Sequence, residues 1–286
     1  MKQFVIMQSE YAPLYQKDFV ELDDDICCGW AAELLESTSE YDYIKTHYGV
    51  KAYIKPGQLK YVDKEYLLER KSYTVTSYAL DVLSGPKVSA LPLRTLPMGS
   101  FVERCGEEVN GFSPICLPDG TEGYVYSKWL VPRLDSDGML LCEDEKKWLL
   151  NQQRPADRDA FIHSVLDTAK EYLGTQYRWG GKTAYGIDCS GLVFMAYMRN
   201  GFLVSRSSRM TDDRGFSKVS FENLQPGDML HFSSPGHIAL YIGNGRFIHS
   251  TGNPACRGVC ISSFCLDDPL YLSGIRERFV GADRIF

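Results

Sequence analysis

The clearest periodic pattern of the chain lies in its second half, where apolar side chains recur every three or four positions at Phe161, Ile162, Val165, Leu166, Ala169 and Leu173. This spacing places them on one face of a helix, which we expect to end at Gly174. A second helix is predicted to begin at Cys189 and to end before Gly201. Its N-terminal cap is expected to be Asp188 or Ser190, because both residue types commonly cap helices.

Shorter patterns predict strands on both sides of these helices. After the second helix, strands are predicted at residues 228–232, 237–242 and 246–250. Early in the chain, short apolar stretches follow one another closely at residues 31–36, 41–46 and 50–54, which is typical of a small barrel or sandwich. The chain therefore combines a β-rich N-terminal part with a C-terminal part that mixes helices and strands.

Residues 72–133 continue the β-rich character and carry a more specific pattern. The run Leu-Pro-Met-Gly-Ser at 96–100 and the run Gly-Tyr-Val at 123–125 resemble the bacterial SH3-like domain family. Residues 49–54 resemble its closing strand more weakly. We interpret both segments as small all-β SH3-like barrels; two generic β-domains without a binding role are the alternative. The predicted organisation is residues 1–70 and 71–134 as SH3-like domains 1 and 2, 135–158 as a charged, turn-rich linker, and 159–286 as a C-terminal α+β domain.

The charge and hydropathy of the chain exclude several classes of partner. Its net charge is −6 and it carries no basic stripe, so we expect no nucleic-acid partner. No apolar run approaches the roughly 20 residues that span a bilayer, so we expect no membrane partner. The N-terminal apolar stretch is shorter than that of a secretory signal, which predicts a cytoplasmic location.

The nine cysteines of the chain are an odd number, which is not typical of a disulfide framework and suits a reducing compartment. Three of them, Cys256, Cys260 and Cys265, follow His249 closely, but their spacing matches no standard zinc site. We therefore expect neither a metal nor a cofactor.

Cys189 is the candidate nucleophile. It stands at the predicted start of a helix, where backbone N–H groups and the helix dipole favour a thiolate. A neighbouring imidazolium would favour the thiolate further. Gly180 and Gly181, shortly before it, would let a substrate approach the backbone closely. The alternative interpretation is a buried structural cysteine.

Two histidines, His237 and His249, flank a glycine-rich turn at residues 243–245. The strand register across this turn decides whether their side chains share a sheet face. If that turn is a three-residue loop, His249 lies opposite Ala239, which shares a sheet face with His237. The two rings are then diagonal neighbours. A two-residue loop would place His249 opposite Leu240, on the other face. A pairing of the two histidines therefore requires a three-residue loop or a bulge.

The motif around Cys189 resembles the NlpC/P60 family of papain-like cysteine peptidases, which cut cell-wall peptides. The matching residues are the pattern Y-x-W-G-G at 177–181 and D-C-S-G-L-V at 188–193. The resemblance covers roughly residues 150–286 and implies a papain-like α+β fold. It also implies a catalytic set of nucleophile, base and third polar residue in the order Cys189, His237 and His249. The family usually has an apolar residue at His231, which we interpret as a partly exposed strand histidine.

Two SH3-like domains before an NlpC/P60 domain resemble the γ-D-glutamyl-L-diamino acid endopeptidases that recycle murein peptides. This group cuts between D-γ-Glu and a diamino acid and requires a free N-terminal L-Ala. The resemblance implies a substrate-binding set of Tyr177, Asp188, Ser190, Arg206, Ser207 and Ser208, with Asp188 as a candidate partner for the substrate ammonium. Ser207 stands where an aspartate can help to hold that amine, which weakens the expected free-amine requirement. Trp179 is expected to be a packing residue.

The function that these patterns favour is a cytoplasmic cysteine endopeptidase. We expect it to act as a monomer on the D-γ-glutamyl–diamino acid bond of short murein peptides with a free N-terminal L-Ala, in cell-wall peptide recycling. One alternative is a secreted peptidoglycan hydrolase that acts on the intact wall. Another is a non-catalytic wall- or peptide-binding protein, against which the intact set Cys189, His237 and His249 argues.

Overall fold

Two seven-stranded antiparallel sheets make up the N-terminal half of the chain in a computed structural model, which describes residues 2–210, 214–233 and 235–285. The first sheet contains β1 (Gln3–Met7), β2 (Tyr11–Tyr15), β3 (Leu22–Cys27), β4 (Ala31–Ser37), β5 (Asp42–Thr46), β6 (Lys51–Ile54) and β7 (Leu59–Val62). The second contains β8 (Ser72–Val75), β9 (Ala79–Leu83), β10 (Pro92–Pro97), β11 (Phe101–Arg104), β12 (Phe112–Cys116), β13 (Glu122–Tyr126) and β14 (Leu130–Pro132). A short helix, α1 (Lys64–Glu69), connects them.

Both sheets have the same strand order, so this half of the chain is a structural repeat. The first runs β3-β2-β6-β5-β4-β1-β7 and the second runs β10-β9-β13-β12-β11-β8-β14. Each strand of the second sheet holds the place of the strand seven earlier. Within the described residues, each sheet has two edge strands and does not close into a barrel by strand pairing. Two β-rich modules are therefore present, and their SH3-like identity stays a prediction.

The two sheets meet through equivalent turns. The backbone N–H of Phe101 donates to the carbonyl of Cys28 at 2.9 Å, and the indole N–H of Trp30 donates to the carbonyl of Gly99 at 2.8 Å. Gly29 lies between these contacts with a φ of +78°, and a Cβ there would come within 2.0 Å of the Phe101 carbonyl oxygen. Only glycine combines this backbone conformation with so close an approach.

A buried ionic cluster occupies the start of the segment that was predicted to be a linker. Asp135 and Asp137 both receive hydrogen bonds from the guanidinium of Arg133, at 2.8–3.2 Å. Arg70 also bonds Asp137, and the ring of His47 lies 3.3 Å from Asp135. The charges of this segment therefore pair inside the N-terminal unit, which spans residues 1–143. The same segment continues into a short helix, α2 (Gly138–Leu141).

The second unit, residues 144–286, packs helices against a six-stranded antiparallel sheet. The helices are α3 (Glu145–Leu150), α4 (Arg158–Lys170) and α5 (Cys189–Met198), and a two-stranded ribbon of β15 (Lys182–Thr183) and β16 (Gly186–Ile187) precedes α5. The sheet strands are β17 (Ser217–Val219), β18 (Met229–Phe232), β19 (His237–Gly243), β20 (Arg246–Thr251), β21 (Gly258–Ser263) and β22 (Phe279–Arg284). Two 3-10 turns lie at Ser127–Trp129 and Phe221–Asn223.

The sheet of the second unit has the order β17-β22-β18-β19-β20-β21, and α5 packs against α4, β19 and β20. Every residue of α5 is buried. A helix that is apolar on all sides must lie inside the domain, and this fixes the position of its first residue. Both predicted helices and the three strands predicted after them are present, with boundaries that differ by a few residues.

We expect the substitution Arg133→Met to lower the free energy of unfolding of the N-terminal unit by about 3–5 kcal/mol, because it leaves buried carboxylates without their main cation. Urea unfolding followed by tryptophan fluorescence would measure the loss, since Trp30 packs on His47 beside the cluster. The control is Arg94→Met, which removes a more exposed pairing with Asp119 and should change stability by about 1 kcal/mol or less. Equal effects of the two substitutions would contradict this assignment.

Candidate active site

Cys189 is the first residue of α5 and is held there by a cap and a close backbone contact. The Asp188 carboxylate accepts a hydrogen bond from the backbone N–H of Gly191 at 2.6 Å, so Asp188 is the N-cap of the two residues predicted for it. A Cβ on Gly191 would come within 2.3 Å of the Gly181 carbonyl oxygen. The glycine therefore lets the loop before the helix press against its first turn.

The thiol of Cys189 lies between the start of α5 and the strand that carries His237. The side chain is 8% exposed, and the backbone N–H groups of Ile238 and Ser190 donate to its sulfur. Burial and the charge of Asp188 nevertheless raise the pKa of Cys189 to about 11. The backbone N–H groups at the helix start lower this pKa, as expected, but desolvation outweighs them and favours the neutral thiol.

The hairpin between β19 and β20 has a two-residue turn with a bulge instead of a three-residue loop. Asn244 and Gly245 form the turn and have φ values of +53° and +71°, as a tight hairpin turn requires. A register shift lies between Tyr241 and Gly243 on β19. This extra residue is one of the two arrangements under which the sequence allows the histidines to meet.

The bulge brings His237 and His249 together. Because Leu240 pairs with Ile248, the next residue of β20, His249, falls on the sheet face that His237 shares. His237 Nε2 lies 2.8 Å from His249 Nδ1, and the two ring centres are 5.0 Å apart. The two rings form a direct hydrogen bond, so one nitrogen of the pair donates and the other accepts.

Both histidines are neutral near pH 7. Burial and the nearby positive charge of Arg278 lower the pKa of His237 to about 4, although Asp188 acts in the opposite direction. Burial, followed by the charge of His237, lowers the pKa of His249 to about 3. The resting site therefore contains a neutral thiol and two neutral imidazoles. The neutral ring of His237 is able to accept a proton.

Two further side chains lie close to His249. The sequence relates one of them, Cys260, to His249 only as a candidate zinc ligand, and it gives no sign of the other, Ser262. Ser262 Oγ lies 3.1 Å from His249 Nε2, and Cys260 Sγ lies 3.5 Å from the same nitrogen. Both belong to β21, in which Cys260 pairs with His249 across the sheet and Ser262 is its diagonal neighbour on the same face. Strand parity would have found them if a strand had been predicted at residues 258–263.

Asp188, Ser190 and Arg206 form one network beside the nucleophile. Arg206 bonds both carboxylate oxygens of Asp188, at 2.9 and 3.0 Å, and the hydroxyl of Ser190 at 2.7 Å. The same carboxylate also accepts from the Ser190 hydroxyl at 3.1 Å and from the backbone N–H of Gly180 at 2.9 Å. The Asp188 carboxylate is therefore already paired with the Arg206 guanidinium, and this pair lies next to Cys189.

Comparison with known proteins places this site in a family. The model of the NlpC/P60 family matches residues 174–264, which include the whole constellation around Cys189, His237 and His249. Residues 174–264 belong to the NlpC/P60 family. The predicted resemblance to the NlpC/P60 family is thereby confirmed.

Two relatives and one solved structure extend the comparison beyond this domain. Dipeptidyl-peptidase 6 of Lysinibacillus sphaericus is 28% identical over 274 residues, which cover 93% of each protein. Gamma-D-glutamyl-L-lysine dipeptidyl-peptidase of Bacillus cereus is 36% identical over 158 residues, which are 51% of this chain and 45% of that protein. A crystal structure of an NlpC/P60 family protein from Bacillus cereus shares the fold, with a TM-score of 0.75 over 98% of this chain and 99% of that one at 19% identity.

Two aromatic residues of the NlpC/P60 motif differ in their surroundings. Tyr177 is half-buried, and burial together with the charges of Cys189 and Asp188 raises its pKa to about 12, so its phenol is a neutral hydrogen-bond donor near the nucleophile. Trp179 is 68% exposed. The expectation that Trp179 is a packing residue is therefore wrong.

Two serines of the loop after α5 form hydrogen bonds within the protein. The hydroxyl of Ser207 accepts from the backbone N–H of Arg209 at 3.2 Å and the side chain is exposed, while the carbonyl of Ser208 lies 3.0 Å from His231 Nδ1. His231 is 5% exposed, and its Nε2 lies 3.1 Å from a carboxylate oxygen of Asp283. The expectation that His231 is partly exposed is wrong; its buried ring ties this loop to β22.

Two kinds of feature are absent from the residues that the structure describes. No group of three or more His, Cys, Asp or Glu side chains in the described ranges is arranged to hold a metal ion. Among the helices of those same ranges, none has the length and apolar character needed to cross a membrane.

We expect the peptidase activity of the NlpC/P60 domain to fall as the pH drops through about 4, because His237 must be neutral to accept the thiol proton. Arg278→Gln should move this acidic limb to higher pH, since the Arg278 charge lowers the pKa of His237. Arg276→Gln, which removes an arginine that stacks on Phe221, is the matched control and should leave the limb in place. The pH profile of kcat/KM, with circular dichroism at each pH to monitor folding, checks this; a limb that stays fixed in Arg278→Gln would contradict it.

Proposed function

We propose that this protein is a cysteine endopeptidase that hydrolyses the D-γ-glutamyl–diamino acid bond of short murein peptides with a free N-terminal L-Ala. The observation that carries the reaction type is the hydrogen-bonded pair of His237 and His249 on the strands next to the buried thiol of Cys189. The bond is supported by the relative from Bacillus cereus, whose name gives gamma-D-glutamyl-L-lysine as its substrate unit. A cytoplasmic location, a monomeric state and a role in cell-wall peptide recycling are part of the same proposal.

The proposed reaction proceeds in two steps through a thioester. His237 takes the thiol proton of Cys189 as the sulfur attacks the γ-carbonyl carbon, and the diamino acid leaves as an amine after accepting that proton. Water then attacks the thioester, with its proton passing to His237, and the thiol and the new γ-carboxylate are released. His249 holds the His237 ring in place throughout. This sequence needs a neutral base at the start, which agrees with the lowered pKa of His237.

The charges of the proposed substrate match those beside the nucleophile. A γ-linked D-glutamate keeps its α-carboxylate free, and an unblocked L-Ala carries an ammonium group. Arg206 and Asp188 offer one charge of each sign side by side, and Ser190 and the Tyr177 phenol add hydrogen-bonding groups. We propose that this pair receives the two charged ends of the L-Ala-γ-D-Glu unit. Ser208 lies in the loop that carries Arg206, and the exposed Ser207 is assigned to the outer part of the same binding surface.

We expect Cys189→Ala to abolish turnover and His237→Ala to reduce kcat by about 10²–10⁴-fold, because it removes the general base. His249→Ala should cost less than His237→Ala, since it removes an orienting partner and leaves the base. His231→Ala is the control, because it removes a buried histidine of the same sheet that bonds Asp283 and not His237. Release of the diamino acid from L-Ala-γ-D-Glu-diaminopimelate, measured by mass spectrometry, gives the rates. Equal losses in His231→Ala and His237→Ala would refute the assigned base.

We expect N-acetylation of that tripeptide to lower kcat/KM by about 10- to 150-fold, because it removes the proposed hydrogen bond from the ammonium to the Asp188 carboxylate, and a hydrogen bond to a charged group contributes about 1.5–3 kcal/mol. Intact sacculi should release peptide far more slowly than the free tripeptide is cut. The comparison uses the three substrates at one enzyme concentration, with Cys189→Ala as the blank. Comparable rates on all three would overturn the recycling role and favour a hydrolase of the intact wall.

A further inference from the structure

The hydrogen bonds that begin at the base do not end at His249. His237 Nε2 is bonded to His249 Nδ1, and His249 Nε2 is in turn 3.1 Å from the hydroxyl of Ser262. Both His249 and Ser262 are buried, at 1% and 8% exposure. The proposed reaction gives Ser262 no role, although its hydroxyl is the last polar group of a continuous chain that begins at the base.

The number of N–H protons on His237 and His249 determines which atom donates and which accepts in each of these hydrogen bonds. Each neutral imidazole carries one N–H. Because Nε2 of His237 is engaged with His249, the nitrogen that can accept the thiol proton is Nδ1, which must therefore carry a lone pair. His237 then holds its proton on Nε2 and donates it to Nδ1 of His249. It follows that His249 holds its own proton on Nε2, where the partner is Ser262.

The opposite arrangement of protons would prevent catalysis. If His249 carried its proton on Nδ1, it would donate to His237 Nε2, and His237 would carry its proton on Nδ1. That nitrogen would then have no lone pair for the thiol of Cys189. The two arrangements differ at the far end of the chain, because only the first presents an N–H to Ser262.

The surroundings of Ser262 favour its oxygen as an acceptor. A hydroxyl oxygen carries two lone pairs and can accept a hydrogen bond from His249 Nε2. Cys260 lies two residues earlier on the same sheet face, and its Sγ is 3.5 Å from that nitrogen. A thiol is a weak donor, so the two atoms facing Nε2 both suit an N–H.

We propose that Ser262 is a positioning residue that fixes the tautomers of His249 and His237, so that the lone pair of the base faces the nucleophile. This inference rests on the proposed cysteine peptidase reaction and deepens it. Ser262 does not touch the reacting atoms; it acts through two successive imidazoles.

The substitutions Ser262→Thr and Ser262→Val test the proposal, since they have nearly the same shape but only threonine keeps the hydroxyl. We expect Ser262→Val to lower kcat by about five- to thirtyfold with KM changed less than about twofold, as the loss of one hydrogen bond that sets a tautomer would do. Ser262→Thr should keep most of the activity. Ser263→Ala is the matched control, because it removes a buried hydroxyl one residue further on β21 that bonds the Gly245 carbonyl. It should leave kcat close to that of the unchanged protein.

Nitrogen-15 NMR of the histidine rings gives a readout that does not depend on turnover. The unchanged protein and Ser262→Thr should show His249 with its proton on Nε2, and Ser262→Val should show a substantial fraction with the proton on Nδ1. Equal loss of kcat in Ser262→Thr and Ser262→Val would show that packing matters and overturn the proposal. A proton on Nδ1 of His249 in the unchanged protein would overturn it as well, whether or not the variants fold. If Cys189→Ala retained turnover, the proposed reaction would fail, while the NMR spectra would still report the tautomers.

Discussion

The register of the β19–β20 hairpin is the constraint on which the rest of the site depends. Side chains alternate between sheet faces, so a shift of one residue would move His249 away from His237. The tight turn at Asn244 and Gly245 would by itself produce that shift, and the bulge on β19 corrects it. The same parity then carries across to β21, where it places Cys260 and Ser262 on the face of His249. The one extra residue in the β19 bulge therefore sets the register in which side chains of β19, β20 and β21 form a continuous series of hydrogen bonds.

Burial determines the charge states of the aligned side chains Cys189, His237 and His249. The start of a helix and a nearby imidazole both favour a thiolate, yet the thiol of Cys189 is buried and its pKa lies well above neutral. The same desolvation keeps His237 and His249 neutral. In the proposed reaction, the thiol keeps its proton until a substrate carbonyl is in place, and the hydrogen bonds of the low-dielectric interior orient the groups that move it. The charges that remain, on Asp188 and Arg206, are paired with one another.

The parts of the structure that depend on local sequence were predictable, and those that depend on tertiary packing were not. Periodicity predicts the helices α4 and α5, and capping chemistry narrows the N-cap of α5 to Asp188 or Ser190. Strand parity states the condition under which the two histidines meet, but the bulge that fulfils it is seen only in the structure. The charged, turn-rich residues 135–158 are predicted to be a linker, and sequence alone does not reveal that Arg133 and Arg70 pair with the two carboxylates at its start. The burial of His231 and the exposure of Trp179 were missed for the same reason, since both depend on which elements pack nearby.

The two N-terminal sheets share one strand order, yet the first resembles the SH3-like family in sequence more weakly than the second. A shared strand order does not require similar sequences. A strand order is set by the length of the turns and by which faces are apolar, and both tolerate extensive substitution. The turns between the third and fourth strands of each repeat keep a glycine with positive φ, at Gly29 and Gly99, and these turns are the point at which the sheets meet. A contact between equivalent turns needs a backbone that can approach closely on both sides. The positive φ of Gly29 and Gly99 therefore meets a requirement of the backbone at that contact, while the strands around the turns need only keep their apolar faces covered.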